Sequence, residues 1–392
     1  MTGVYTRTIL LLNKFRALIF YKGATGISQL FISFYLVLNN GTLLWGQYIP
    51  FFLFLQAIYF ISYYGFEKYA EQAILHDPFH SERTWSDAIK FRLGIAYSLL
   101  ALTLLANINL YLLMCGGGWV ILRLYNESFK IVARLEKQLI QWTFIEWCSA
   151  FLPLIWLYLR ATNVTPLFIL QIYTLSELAR FIVLQFQYGR TYKIPFLPRA
   201  DITQLKESTP FFVNKSIFYV NNRIIPFSGA FLLPFTLLAC FHLIVYWIIF
   251  GTSLAYFIWT SDYFDFQSLS KENVTMSSLK MTIIGTLISI VWIPFGFYLE
   301  KNYLGQGIDP LLMIPCFLLL LNTFTGIPWM AALIKLKEET SLQLIFGINM
   351  LLQLCICYFT LKAGETGWCL WTICGLSIAQ LVALRILTGK FI

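Results

Sequence analysis

The chain has 392 residues, of which 58% are hydrophobic and 12% are charged, and its mean hydropathy is +0.70. Soluble domains carry about 25% charged residues, so this composition excludes an ordinary soluble protein and predicts a polytopic membrane protein. The net charge of +9 does not indicate a nucleic-acid partner, because most Lys and Arg residues fall in one set of alternating loops.

Apolar runs long enough to cross a bilayer as a helix, about 20 residues each, occur about twelve times along the chain. The predicted fold class is therefore an all-α polytopic membrane protein. The predicted spans are residues 16–38, 43–64, 91–113, 117–133, 138–159, 164–187, 208–229, 232–258, 279–299, 308–330, 341–361 and 367–388.

The loop charges are consistent with this number of spans. With a cytoplasmic N-terminus, Arg92, Lys130 and nearly all other loop cations fall on the cytoplasmic side, and only Arg160, Lys301 and Lys362 fall on the opposite side. Cytoplasmic loops are enriched in Lys and Arg. We therefore expect a multi-pass membrane protein with both termini in the cytoplasm.

The connections between spans carry local signals. The stretch GFEKYAEQAIL, residues 65–75, alternates apolar and polar positions at helical spacing and predicts an amphipathic helix at the membrane interface. Asp201 and Gln204 have the spacing of a helix-capping box and predict the start of the seventh helix. Gly116–Gly118 predicts a tight outer turn, within the outer loop Cys115–Gly118.

The order of spans predicts two lobes. Residues 1–187 form an N-terminal six-helix lobe, residues 188–207 a cytoplasmic linker, and residues 208–392 a C-terminal six-helix lobe. Lys22 is followed seven residues later by Gln29, and Lys215 seven residues later by Asn222, so each pair shares a helix face. This echo favours a duplication whose halves are related by an axis along the membrane normal.

Cations and carboxamides within the spans predict a polar lumen for an anionic ligand. Polar groups at bilayer depth normally face a bundle interior or a water-filled cavity, and the planar Arg fork matches phosphate oxygens. The alternative is that Lys22 and Lys215 extend to the membrane surface. The predicted substrate-binding residues are Lys22, Gln29, Arg123, Asn214, Lys215, Asn222 and Arg223.

Glu127, Glu146 and Glu177 lie inside predicted spans. Arg123 can pair with Glu127 four residues later, and Arg180 with Glu177 three residues earlier. Such pairs are either structural or contain a carboxylate that couples transport to protons or sodium. Glu146 has no partner on its own helix, which makes it the best candidate for coupling.

Motifs for catalysis and for tightly bound groups are missing from the sequence. It contains no Gly-Lys-Ser/Thr phosphate loop, Gly-x-Ser-x-Gly or HExxH motif. The eight cysteines mostly sit inside apolar runs and read as small hydrophobic residues. We therefore expect no catalytic residue, no metal site and no cofactor.

Three stretches carry a resemblance to a known family: Tyr63–Ala70, Leu205–Phe212, and Gly364–Trp368 followed by Gln380. With the span count and the halving, they make the chain similar to Wzx-type O-antigen flippases of the multidrug/oligosaccharidyl-lipid/polysaccharide exporter superfamily. Two positions depart from that pattern. Tyr64 stands where the family has Asp before the glycine, and Arg223 is followed by Ile instead of Asp.

The resemblance implies two lobes that alternate access and flip an undecaprenyl-diphosphate-linked oligosaccharide across the bacterial inner membrane. The polyprenyl tail would stay in the membrane lipid. Lys22, Lys215 and Arg223 would meet the diphosphate, and the polysaccharide polymerase machinery would be a partner. Two alternatives stay open. One is a cation-coupled multidrug or small-solute antiporter of the same fold, and the other is a membrane-integral polymerase or glycosyltransferase, which the short outer loops disfavour.

Overall fold

A computed structural model describes residues 28–39, 41–104, 109–159, 164–199, 201–262, 270–304, 309–336 and 338–392. Across these ranges the regular structure is helical, with no strand, as the composition predicts. The helices are α1 Ser28–Asn39, α2 Thr42–Tyr63, α3 Phe66–His76, α4 Ser81–Leu104, α5 Leu110–Leu135, α6 Leu139–Leu159, α7 Pro166–Tyr188, α8 Ile202–Leu232, α9 Phe235–Asp262, α10 Lys271–Leu304, α11 Met313–Lys335, α12 Glu339–Lys362 and α13 Thr366–Phe391. Single 3-10 turns at Pro78–His80 and Pro310–Leu312 precede α4 and α11.

Within the described residues, eight helices are long and apolar enough to cross a membrane: α2, α6, α7, and α9 to α13. The remaining predicted spans correspond to α1, which is shorter than 18 residues, and to α4, α5 and α8, which carry charged side chains along their length. These findings confirm an all-helical protein with multiple membrane-spanning segments.

Helix α10 has an apolar outer face and carries hydroxyl groups on its buried face. Its buried face carries Ser278 and Thr282, and Ser278 Oγ donates to the Thr325 carbonyl on α11 at 3.0 Å, while Thr282 Oγ1 lies 2.9 Å from Thr325 Oγ1. Small polar residues at such interfaces let helices approach closely where lipid provides no hydrophobic drive. Its outer face carries exposed Met276, Leu279, Ile283, Leu287, Ile290, Val291, Phe295 and Tyr298. This is the arrangement expected of a lipid-facing helix.

The predicted outer turn at Cys115–Gly118 is wrong. Helix α5 runs without interruption through Gly116, Gly117 and Gly118. A Cβ on Gly116 would lie 2.7 Å from Leu55 Cδ1, so this glycine serves close packing of α2 against α5. The helix instead starts after Asn109, whose side chain accepts a hydrogen bond from Tyr111 N at 2.9 Å.

The described chain divides into two compact units. The N-terminal unit comprises mainly Gln47–Ser216, and α5 packs there against α4, α6 and α7. The C-terminal unit comprises Ser33–Gly46 and Ile217–Ile392, and α11 packs there against α9, α10 and α13. Residues 189–199 are non-helical, and α8 begins at Ile202, before the predicted 208. The lobe boundaries at 188–207 remain a prediction.

The end of α2 packs against the start of α8 within the N-terminal unit. Tyr64 has φ 35° and Gly65 has φ 70°, so the chain turns sharply into α3. The Tyr64 ring stacks on Phe212 with centroids 4.2 Å apart, and its hydroxyl lies 3.2 Å from Thr209 Oγ1. Asp201 Oδ1 accepts from the backbone N–H groups of residues 203 and 204, which confirms the predicted cap of α8.

This turn generates a stability prediction. In Gly65→Ala the new Cβ would lie 2.9 Å from Phe211 Cβ and from the backbone nitrogen of Phe212, and the positive φ adds about 1–3 kcal/mol of strain. We expect a clearly lower melting temperature for the detergent-purified protein. Gly375→Ala is the matched control, because a Cβ there meets nothing within 4 Å. Equal melting temperatures for the two variants would contradict the prediction.

Candidate functional site

A stripe of charged residues runs along one face of α5: Arg123, Glu127, Lys130 and Arg134. Residues three or four apart share a helix face. This face is directed into the N-terminal unit, where each of the four side chains has an oppositely charged partner on another helix. The stripe therefore faces the interior of the N-terminal unit, on a helix that the sequence predicts to be a span.

Five side chains of α5, α6 and α7 form the centre of this arrangement, which we name the charged network: Arg123, Glu127, Glu146, Glu177 and Arg180. Arg123 Nη1 lies 3.3 Å from Glu177 Oε1. Arg180 Nη1 lies 3.3 Å from Glu127 Oε1 and 3.6 Å from Glu177 Oε2, and its Nη2 lies 3.9 Å from Glu146 Oε1. The Arg180 side chain is only 2% exposed.

Amide and aromatic groups hold the network in place. Asn126 Nδ2 donates to Glu177 Oε2 at 2.7 Å. The Arg180 guanidinium lies 4.7 Å from the Trp142 ring centroid, and that of Arg123 lies 5.2 Å from the Trp119 ring. Cation–π contacts strengthen when the groups are removed from water. Both guanidiniums are thus fixed by rings as well as by carboxylates.

Within the network, three carboxylates face two guanidiniums, so the contacts leave one negative charge in excess. Glu146 is the least satisfied carboxylate. Its side chain is 8% exposed, its only ion contact is at 3.9 Å, and its Oε2 has no hydrogen-bond partner in the described part of the chain. A proton or a small monovalent cation at Glu146 would restore neutrality.

Arg92 is a buried cation that the sequence interpretation misplaced in a cytoplasmic loop. It lies on α4, which starts earlier than predicted, and is 2% exposed. Its guanidinium lies 4.3 Å from the Tyr63 ring and 4.0 Å from the Phe66 ring, and its Nη1 donates to Ser128 Oγ at 2.8 Å. Its Nε and Nη2 have no hydrogen-bond partner among the residues described. Arg92 is therefore held by aromatic rings and a hydroxyl.

The end of the α5 stripe fixes α3. Lys130 Nζ and Arg134 Nη2 each lie 3.0 Å from Glu67 Oε1, and Arg134 Nη1 lies 3.0 Å from Glu71 Oε1. The predicted amphipathic helix is present as α3, Phe66–His76. Its acidic residues pair with α5, which binds the helix to the bundle.

The predicted ion-coupling residues Glu127, Glu146 and Glu177 come together, and Arg123 joins them. The predicted pair of Glu177 and Arg180 within α7 is present at 3.6 Å. The predicted partner of Arg123 is wrong, because Arg123 pairs with Glu177 across helices while Glu127 pairs with Arg180. The partner of each cation depends on how the neighbouring helices are rotated, and residue spacing along one helix does not predict that rotation.

The predicted substrate-binding residues are not brought together as the ion-coupling residues are. Lys22 lies outside the described residues, and so do the side chains of Asn214 and Lys215, whose backbones are part of α8. Gln29 lies on α1 and is partly buried. Asn222 is exposed on α8, and the Arg223 guanidinium lies 5.9 Å from the Tyr219 ring.

Comparisons with known proteins give a structural similarity. No protein-family model matches the sequence, and no curated protein matches it. Among solved structures, the chain is similar to an outward-facing multidrug resistance MATE family transporter of the MOP superfamily, with 10% identity, a TM-score of 0.48, and coverage of 96% of this chain and 95% of that chain. A similarity of this size assigns neither function nor substrate.

The charge balance of the network predicts that one variant lowers the melting temperature and a second variant leaves it unchanged. Arg180→Gln removes the cation that contacts all three carboxylates, and loss of one partner of a buried ion pair costs about 3–5 kcal/mol. Glu146→Gln removes the excess negative charge, so we expect it to keep the wild-type melting temperature. Thermal melts in detergent compare the two, and an equal loss of stability in both would contradict the assignment of Glu146 as the excess carboxylate.

Proposed function

We propose that the protein is a membrane transporter that flips an undecaprenyl-diphosphate-linked oligosaccharide across the bacterial inner membrane, and that a cation bound at the charged network drives it. The observation that carries the transport proposal is the excess carboxylate at Glu146, buried among helices of a membrane protein. Ionisable groups at this depth are costly and typically mark proton or ion pathways.

Coupling follows from the charge balance. When Glu146 is ionised and no cation is bound to it, the network holds a net negative charge away from water, which is unfavourable. A proton or sodium ion relieves this cost only in the conformation in which it reaches Glu146. A ligand shifts a conformational equilibrium by its differential affinity for the two states. The bound cation would therefore favour one state of an alternating-access cycle.

The cargo proposal rests on α8 and on the sequence resemblance. Lys215 and Arg223 lie on this helix, eight residues apart, and suit the diphosphate of a lipid-linked sugar. In this proposal Lys22 and Gln29 supply the matching positions near the start of the chain. The polyprenyl tail would stay in the lipid while the head group crosses.

A multidrug or small-solute antiporter is the second candidate function, and an aromatic cluster in the N-terminal unit favours it. The Phe52 ring lies 5.3 Å from Tyr48, 5.6 Å from Trp119 and 5.7 Å from Tyr173, measured between ring centroids. The faces of such rings attract cations, so the cluster would suit an aromatic cation. This candidate predicts export of cationic dyes, which the flippase candidate does not.

The first functional experiment uses the native host with this gene deleted. We expect the lipid-linked sugar to accumulate in the inner leaflet and surface polymer to be lost. Wild type should restore the polymer, and Lys215→Ala should not, because the diphosphate loses a cationic contact. Lys206→Ala, an exposed residue of the same helix, is the control. Unpolymerised sugar on the outer leaflet of the deletion strain would instead indicate a polymerase.

The coupling step is tested separately in proteoliposomes. A proton or sodium gradient should accelerate transfer of a fluorescent lipid-linked sugar by wild type at least several-fold. In Glu146→Gln the gradient should have no effect, because the side chain is neutral in both states. Glu272→Gln, an exposed change in the first turn of α10, should behave as wild type. A gradient response retained by Glu146→Gln would exclude Glu146 as the coupling residue.

A further inference from the structure

A second polar site lies within the C-terminal unit, between α8, α11, α12 and α13. It is an open cleft, and the space of about 490 Å³ within its bounds includes open solvent. Its polar lining consists of amides and hydroxyls, and none of the residues that line it in the described ranges is charged. The polar members are Asn221, Asn222, Asn322, Thr323, Ser377 and Gln380.

Asn349 on α12 orients two of these amides. It is 4% exposed, and its Nδ2 donates to Asn221 Oδ1 at 2.9 Å and to Gln380 Oε1 at 2.8 Å. Because Asn349 holds both carbonyl oxygens, it orients the amide groups of Asn221 and Gln380, and both residues line the cleft. Asn349 is thus a positioning residue behind the lining.

Asn322 adds a third donor. Its Nδ2 is buried and has no hydrogen-bond partner in the part of the chain that the structure describes. A buried donor without a partner costs free energy of about 1–3 kcal/mol, so such groups in native proteins call for an explanation. Amide groups from α8, α11 and α13 therefore line one cleft, and the Asn322 Nδ2 among them lacks an acceptor within the described residues.

The remaining wall of the cleft is apolar and rigid. Phe346, Met330 and Leu384 line it and belong to a buried hydrophobic cluster that also contains Trp329 and Leu333. A ligand for this cleft needs oxygen acceptors on its edge and an apolar face. A sugar ring has both, with hydroxyl or acetamido oxygens around a ring of C–H groups.

We propose that this cleft is a sugar-binding subsite that takes a neutral pyranose ring of the transported oligosaccharide. The proposal rests on the function proposed above and adds to it the residues that recognise the sugar. A metal ion fits less well, because the oxygens of Asn221 and Gln380 are engaged by Asn349 and hard cations need oxygen ligands. The diphosphate fits less well, because no cation lines the described cleft.

The test measures binding of two probes to the full-length protein in nanodiscs: undecaprenyl diphosphate, and the same lipid carrying one N-acetylglucosamine. We expect wild type to bind the glycosylated probe more tightly. Gln380→Ala and Asn322→Ala should each weaken binding of the glycosylated probe about tenfold and leave the bare lipid unchanged. Thr372→Ala, an exposed position of α13 outside the cleft, should affect neither probe.

Asn322→Ala keeps the test decisive if Gln380→Ala does not fold, because the Asn322 Nδ2 makes no hydrogen bond within the described protein. Equal wild-type affinity for the two probes, or unchanged affinities in both variants, would overturn the sugar subsite. If the variants bind both probes equally more weakly than wild type does, the amide donors contact the diphosphate, and this result would also overturn the sugar subsite. If wild type binds neither probe, the proposed function itself fails.

Discussion

Compensation of buried charge is the constraint on which the N-terminal unit depends. Helix α5 carries charged residues along one face, and charges within a bilayer must be paired inside the protein because lipid offers no water. Helices α3 and α7 supply matching groups, so electrostatics as well as apolar contact sets their rotation. The groups are Glu67 and Glu71 on α3, and Glu177 and Arg180 on α7, and Glu146 on α6 in turn contacts Arg180. Among the carboxylates of the charged network, Glu146 has the weakest pairing within the described residues, so a mobile cation gains most by binding there.

The C-terminal unit meets the same constraint with neutral groups. Hydroxyls join α10 to α11, and carboxamides join α8, α12 and α13 through Asn349. Neutral hydrogen bonds cost less to bury than ions, but they respond little to protons or to membrane potential. The two chemistries suit different tasks. A charged network can sense an ion, whereas an uncharged amide cleft can distinguish ligands by the placement of their oxygens.

Hydropathy predicted most spans, because the length of an apolar run is fixed by the bilayer and not by tertiary contacts. The cap at Asp201 could also be predicted from the sequence, since its hydrogen-bond partners are two and three residues away. Gly116 was misread because a glycine cluster signals a turn in water, whereas in lipid an unbroken helix keeps its backbone hydrogen bonds and the missing side chain admits Leu55. Arg92 was misplaced because the polar start of α4 hid the beginning of a long helix. The cross-helix pairs of the charged network, and the amide cleft, depend on helix rotation and were out of reach.

Helix α8 belongs to both units. Its first half lies in the N-terminal unit, where Tyr64 stacks on Phe212, and its second half carries Asn221 of the amide cleft. The Tyr64 ring and hydroxyl hold the end of α2 against α8. One helix therefore packs through aromatic rings in its first half and contributes carboxamides to the uncharged cleft in its second half.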